Sequence, residues 1–115
     1  MTIDKGLHKV RIGCCGFPIG KKEYFRQFKL VEVQQTFYKM PRLETARRWR
    51  QEAPADFEFT LKAWQLITHP HTSPTYRKAG LKILPGAEGH YGFFRISDEV
   101  HQAWEETGRF AQELG

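Results

Sequence analysis

The residues best suited to chemistry occur in three short groups, each at or just beyond the end of an apolar segment. The first group ends at Cys15, the second covers residues 34–38, and the third covers residues 64–69. Two charged residues, Glu32 and Lys62, lie inside the second and third apolar segments. Such carboxylate, ammonium, imidazole and hydroxyl groups are suited to acid and base catalysis and to binding a polar ligand.

Among these residues, His69 is the main candidate for proton transfer, because an imidazole changes its charge near neutral pH. Cys15 is a weaker candidate for a nucleophile, since no base that would activate its thiol is visible beside it. His69 could join His71, His90 and Glu32 in a metal site of nitrogen and oxygen ligands, but a His-Pro-His sequence in a loop more often caps or packs. We therefore predict no metal site, and the sequence identifies no cofactor.

Apolar segments rich in β-branched and aromatic residues predict three strands, over residues 10–14, 30–34 and 57–63. Apolar residues at helical spacing predict a short helix over 20–28 and a second helix that starts near Pro41 and stops before Pro54. Strands that alternate with helices imply right-handed crossovers and a parallel sheet. The predicted order is βαβαβα, with both cysteines reduced.

The end of the chain predicts one more amphipathic helix, with Ser97 as its N-cap and acidic residues in its first turn. Gly108 is a point where this helix could break slightly. The stretch over residues 64–97 is unusually long for a connection, and Ser73 and Pro74 predict a short helix within it. The predicted apolar stripe of the last helix contains Val100, Trp104, Thr107, Ala111 and Leu114.

Side chains alternate between the two faces of a strand, so helices should cover one face and leave the other for a site. Val31 and Val33 belong to the apolar set, whereas Glu32 and Lys62 belong to the opposite, polar set. Because a lone buried charge is costly, we expect Glu32 and Lys62 to pair, either to fix the register or to line a ligand site. The residues expected to share the polar interior are Arg11, Cys15, Glu32, Gln34, Thr60 and Lys62.

A formal net charge of +5 favours anionic partners, such as phosphorylated metabolites, nucleic acid or acidic surfaces. The cluster of Arg47, Arg48 and Arg50 on the second helix is either a solvated face or a nucleic-acid contact. No apolar run approaches the length of a membrane span, and the first residues do not resemble a signal peptide. The expected location is the cytoplasm, with no membrane partner.

Three blocks in order along residues 10–70 resemble the YecE-like family, an uncharacterised (β/α) barrel family. The blocks read IGCCGF, VEVQQTFYKMP and FEFTLKAWQLITHP. The family's usual Thr-Ser-Gly-Trp stands here as Cys14, Cys15, Gly16 and Phe17, which puts any role of a hydroxyl in doubt. The family positions matched in the other blocks are Glu32, Thr36, Phe37, Tyr38, Ile67, Thr68 and His69.

The resemblance implies a partial (β/α) TIM-type barrel with about three parallel βα units, forming one domain over residues 1–115. A complete barrel needs roughly 250 residues, so we expect a fragment, a truncated product, or a subunit completed by self-association or by a partner. Barrel sites form at the carboxyl ends of strands. Accordingly, Glu32, Lys62 and His69 are the candidate catalytic residues, and the candidate ligand-binding residues are Cys15, Gln34, Thr36, Tyr38, Trp64 and Thr68.

The function predicted from these residues is the binding of a small anionic ligand, phosphorylated or sugar-like, and whether the protein is an enzyme stays open. Two alternatives remain: a basic nucleic-acid-binding module, and a truncated barrel without activity. Binding of nucleic acid should weaken steeply as salt rises, whereas binding at a recessed site should respond less.

Overall fold

A computed structural model describes residues 2–5 and 8–115 of the chain, with side chains from residue 10 onward. It contains a hairpin, a parallel sheet and a set of helices. The elements are β1 (Thr2–Lys5), β2 (His8–Arg11), β3 (Cys14–Cys15), α1 (Lys21–Gln27), β4 (Leu30–Val33), α2 (Gln35–Tyr38), α3 (Leu43–Glu52), β5 (Glu58–Leu61), α4 (Gln65–Thr68), α5 (Pro74–Ala79), a 3₁₀ turn (Glu88–His90) and α6 (Asp98–Leu114).

The central feature is a three-stranded parallel sheet in the order β3-β4-β5, flanked by helices. Cys15 lies opposite Glu32, and Glu32 lies opposite Thr60, so the three strands share one register. The predicted alternation of parallel strands and helices is confirmed. The three strands form an open sheet flanked by helices, and the partial (β/α) TIM-type barrel implied by the resemblance stays a prediction.

The first predicted strand, over residues 10–14, was wrong as one element. Val10 and Arg11 end the hairpin strand β2, which pairs antiparallel with β1, whereas Cys14 begins β3 in the parallel sheet. Gly13 separates the two, and a Cβ on this residue would lie 2.2 Å from the Leu30 carbonyl oxygen. The chain can therefore pass this carbonyl only with a glycine, and it changes sheets there.

Tyr24 fixes the start of the parallel sheet from the side of α1. Its fully buried hydroxyl accepts a hydrogen bond from the Cys14 amide at 2.8 Å and donates one to the Leu30 carbonyl at 2.6 Å. Tyr24 therefore joins the start of β3 to the start of β4 through one backbone group of each strand. Burial, the largest cause, raises the pKa of this phenol, which keeps it protonated as the donor.

Helices α1, α3 and α6 cover one face of the sheet, as the alternation predicted. Val31 and Val33 of β4 are buried on this face, and Phe59 and Leu61 of β5 pack against the same core. The buried members of this core are Tyr24, Phe25, Val31, Val33, Ala46, Trp49, Phe57, Phe110 and Leu114.

Helix α6 begins where the sequence predicted, because the Ser97 side chain accepts a hydrogen bond from the Val100 amide at 3.2 Å. The helix continues through Gly108 without a break. The predicted stripe was wrong at one position: Trp104 is 60% exposed, whereas Phe110 is fully buried and packs edge-on against Trp49. Both stripes have helical spacing, so the partner helix α3 decides which of them is covered.

The long stretch over residues 64–97 folds against α6 and α2 instead of covering the polar face of the sheet. Ile67 of α4 packs with Val100 and Ala103 in a second apolar cluster. The short helix predicted after Ser73 is present as α5. Within the described residues, no helix is long and apolar enough to cross a membrane.

Replacing Gly92 by Ala should lower the free energy of unfolding by more than about 2 kcal/mol. Its backbone has a positive φ of 80°, and the added Cβ would lie 2.3 Å from the His69 carbonyl group. Gly86→Ala is the control, since its φ is 91° but its Cβ would meet no atom within 4 Å. The control should lose only about 1 kcal/mol. Urea denaturation measures both, and equal losses would contradict the close approach of Gly92 to His69.

Candidate functional site

The face of the sheet opposite the helices carries the predicted polar set. Cys15, Glu32 and Gln34 are exposed, and so are Thr60 and Lys62 of the neighbouring strand end. Between them, Val31 and Val33 point to the buried side. The strand parity predicted from the sequence is therefore correct, although the polar face is open to water and does not line a closed interior.

The expected ion pair between Glu32 and Lys62 was wrong. The Glu32 carboxylate accepts a hydrogen bond from the Gln34 amide at 3.4 Å, and the Lys62 ammonium lies 4.3 Å from the centroid of the Phe37 ring. The open face explains the difference, because neither charge is buried and neither needs a partner to offset desolvation. Lys62 forms no ion pair with any carboxylate in the part of the chain whose side chains are described.

Arg11 joins the polar face from the hairpin. Its guanidinium forms an ion pair with Glu58 of β5, across the strand ends. Together with Cys15, Glu32 and Thr60 it lines an open concavity of about 420 Å³ on the polar face of the sheet. The sequence analysis placed Arg11 on this face correctly, although Arg11 belongs to a different sheet.

Phe37 organises the carboxyl end of β5, and the sequence analysis did not include it among the site residues. Its ring contacts the Lys62 ammonium on the one hand and the His69 ring, at 5.0 Å between centroids, on the other. Tyr38 lies edge-on to the same ring at 5.1 Å and is 42% exposed. One buried aromatic ring therefore brings together three of the predicted site residues: Tyr38 of α2, Lys62 just after β5 and His69 at the end of α4.

Thr36 positions this group without being accessible to a ligand. It is fully buried, and its hydroxyl donates a hydrogen bond to the Lys62 carbonyl at 2.6 Å. This bond fixes α2, and with it Phe37, to the end of β5. The residue predicted as a ligand contact is therefore better explained as a support for the Lys62 backbone.

His69 is exposed at the end of α4, and hydrogen bonds fix both its ring and its backbone. Its Nδ1 atom lies 2.6 Å from the Thr68 hydroxyl, so the ring orientation is fixed by its neighbour. The Tyr76 hydroxyl donates a hydrogen bond to the His69 carbonyl at 2.7 Å. Gln65, fully buried, donates to the Tyr38 carbonyl at 3.1 Å and so ties α4 to α2.

Trp64 does not join this cluster. The indole is half-buried in a separate cleft of about 170 Å³, which Tyr91 and Glu99 also line. Its Nε1 atom is buried and has no hydrogen-bond partner among the described residues. The sequence predicted Trp64 directly after a strand over residues 57–63, but β5 already ends at Leu61 and Trp64 is the N-cap residue of α4. The sequence also gave no signal for the direction of its ring.

A second cleft, of about 470 Å³, opens at the carboxyl ends of β3 and β4. Gly16 and Gln34 form its strand side, and Lys21 and Arg48 contribute two positive charges from α1 and α3. Both cations lie near one carboxylate, Glu52, at 3.3 and 3.8 Å respectively. The sequence analysis missed Lys21, since a lysine at the start of a helix looks like an ordinary solvated residue.

The arginine cluster of α3 is largely used within the fold. Arg47 makes a bidentate contact with Glu113 of α6, at 3.0 and 3.1 Å. Arg50 donates hydrogen bonds to the carbonyl groups of Phe57, Pro54 and Leu114. These arginines bind helices and strand ends together, so they do not form a free basic face.

The histidines whose side chains are described lie apart from one another or have other partners. His90 pairs with Glu99 at 2.9 Å, and this hydrogen bond is the main cause of the lowered pKa of the Glu99 carboxyl group. Among the described residues, no group of three or more His, Cys, Asp or Glu side chains could hold a metal ion. Both cysteines are free thiols, Cys14 half-buried and Cys15 exposed.

The fold and the polar strand ends define an α/β protein built from parallel βα units. The family described as "Protein of unknown function DUF72" matches residues 21–114, which is most of the chain. The chain belongs to this family, and the resemblance found in the sequence is confirmed. No solved structure matches the chain at a significant level.

Two curated relatives share one segment with this chain. The UPF0759 protein YecE of Escherichia coli strain K12 is 40% identical over 48 residues, which is 42% of this chain and 18% of the relative. The UPF0759 protein YecE of Escherichia coli O157:H7 has the same identity over the same length. The matched segment therefore spans less than one fifth of the length of these relatives.

Replacing Tyr76 by Phe should reduce the alkaline loss of stability. Burial raises the pKa of the Tyr76 phenol to about 12, well above the value of 10.0 that is ordinary for a tyrosine. Because the folded pKa is the higher one, the stabilisation is complete below pH 10 and is lost as the pH rises towards 12. At neutral pH the variant should lose about 1 kcal/mol with the bond to His69.

Urea denaturation between pH 8 and pH 12 measures this effect, with Tyr38→Phe as the control because Tyr38 is 42% exposed. The wild-type protein and the control should lose about 1–2 kcal/mol more than Tyr76→Phe over the alkaline range. Parallel curves for all three proteins would contradict the buried, protonated role of Tyr76.

Proposed function

We propose that the protein binds a small anionic ligand, phosphorylated or sugar-like, at the carboxyl ends of the parallel strands. The observation that carries the proposal is the Lys62 ammonium, which lies over Phe37 beside His69 and has no carboxylate partner among the described side chains. A cation held by an aromatic ring on an exposed face is available to pair with an incoming anion.

The groups around Lys62 supply the polar contacts that such a ligand needs. His69 and Tyr38 present an imidazole and a phenol on the same aromatic ring, and Gln34 presents an amide at the end of β4. The Lys62 amide bonds the Val33 carbonyl at 2.9 Å, which brings the ends of β4 and β5 side by side. A few polar groups converging at strand ends are typical of ligand sites in parallel α/β folds.

The neighbouring cleft with Lys21 and Arg48 extends the positive potential along the same edge of the sheet. Since Glu52 is shared by both cations, the local balance stays positive. The chain as a whole carries a formal charge of +5, which favours the approach of anions. Cys15, the last residue of β3, adds a thiol, which is a weakly polar contact, beside the stronger amide of Gln34.

Acid and base chemistry would fall to Glu32 and His69, with Lys62 holding the anionic group of the substrate. We propose this division of roles for a ligand that reaches the polar face from the strand ends. We also propose that the strands belong to a barrel of the (β/α) type, which would place the site on the face where barrel enzymes hold their substrates. The two free cysteines are compatible with a reducing compartment, and we propose the cytoplasm.

Binding of nucleic acid is the less favoured alternative, because Arg47 and Arg50 are engaged by Glu113 and by backbone carbonyls. A chain without activity is the remaining alternative. Both alternatives differ from the proposal in what they predict for a small ligand. Neither of them requires saturable binding of a monophosphate at Lys62.

Lys62→Gln should weaken the binding of inorganic phosphate and of glucose 6-phosphate about tenfold, since it removes a charge-assisted hydrogen bond. Amide chemical shifts followed by NMR during titration measure the affinity and locate the site at Lys62, Phe37 and His69. The matched control is Lys82→Gln, an exposed lysine in the stretch after α5, which should bind as the wild-type protein does. The proposal fails when neither probe gives saturable shifts, or when both variants bind equally.

A further inference from the structure

Strand β5 ends the parallel sheet, and its outer edge carries backbone groups that have no partner among residues 2–5 and 8–115. The Glu58 amide bonds the carbonyl of Lys29, just before β4, and the Lys62 amide bonds the carbonyl of Val33 in β4, at 2.9 Å in each case. Because backbone direction alternates along a strand, the amides and carbonyls of Phe59 and Leu61 point away from β4. Within the described part of the chain no backbone hydrogen bond reaches these two amides from outside the sheet.

The charged side chains along this edge are arranged so that they would be complementary to the same side chains of a second, antiparallel copy. Counted from Thr60, Glu58 lies two residues before it and Lys62 lies two residues after it, on the same exposed face. If two copies of β5 pair antiparallel about Thr60, each Glu58 faces the Lys62 of the other copy. Phe59 then faces Leu61, and these are the residues whose backbone groups are free to form the new ladder.

The helix side of the same edge is apolar and exposed. A cleft of about 430 Å³ lies there, lined by Leu61 and Ala63 next to β5 and by Trp104, Gly108 and Ala111 of α6. Trp104 is 60% exposed although it is a large apolar side chain. An antiparallel copy would bring its own α6 to this cleft, on the same side of the joined sheet, and cover the indole.

We infer that the chain self-associates as a symmetric dimer, in which β5 pairs with β5 of a second copy and the two sheets become continuous. Three features favour a second copy: the free edge amides, the exposed Trp104, and the symmetric order of Glu58 and Lys62 about Thr60. The ion pair between Glu58 and Arg11 does not oppose this, since a carboxylate can accept from both cations. Exposed strand edges are sites where chains pair unless they are blocked.

Sedimentation equilibrium of the whole chain from 5 to 200 µM tests the proposal together with two charge variants. Glu58→Lys and Lys62→Glu each place like charges opposite each other in the dimer, so each alone should dimerise about tenfold more weakly than the wild-type protein. An equimolar mixture of the two should recover the association, because every cross-strand pair in the mixed dimer is again Glu with Lys. A ligand site at Lys62 gives no reason for this recovery.

Trp104→Lys is the second test, since it lies on the exposed side of α6 and should weaken the dimer without loss of the circular dichroism signal. A monomer at all concentrations overturns the proposal. A dimer that persists in both charge variants, or a mixture of them that does not associate, overturns the pairing about Thr60. A dimer insensitive to Trp104→Lys overturns the role of the α6 cleft.

Discussion

The alternation of side chains along β4 is the constraint on which the rest of the structure depends. This strand lies between β3 and β5 and pairs with both. The face to which each of its side chains points therefore decides which side chains of the two neighbouring strands share that face. Burial of Val31 and Val33 beneath the helices forces Glu32 and Gln34 onto the other face. A shift by one residue would bury a carboxylate and expose two valines, at a cost of several kcal/mol.

The polar strand ends are then positioned by contacts made outside the strands. Thr36 binds the carbonyl of Lys62, and the ring of Phe37 beside it collects Lys62 and His69. The short helix α2 is therefore the link between sheet order and the candidate site. Tyr76, which lies in the long stretch over residues 64–97, fixes the backbone of His69 by donating a hydrogen bond to its carbonyl.

Much of this arrangement follows from local pattern, because a period of two for strands and of three to four for helices records which face is covered. The parallel order, the polar face and the start of α6 at Ser97 were predicted in this way. The division of the first strand at Gly13 was not, since it depends on the carbonyl of Leu30, far along the chain. Neither was the choice of Phe110 over Trp104, which the packing of Trp49 decides.

The two adjacent cysteines report the sheet parity directly, because neighbouring residues on a strand point to opposite faces. Alkylation of the folded single variants Cys14→Ser and Cys15→Ser, followed by mass spectrometry, compares the two thiols one at a time. Cys15 is exposed and should react at nearly the rate of the unfolded chain, whereas Cys14 packs against the core and should react at least about tenfold more slowly. Faster reaction of Cys14, or equal rates for both, would contradict the parity from which the polar face, the ligand site and the edge of β5 are all derived.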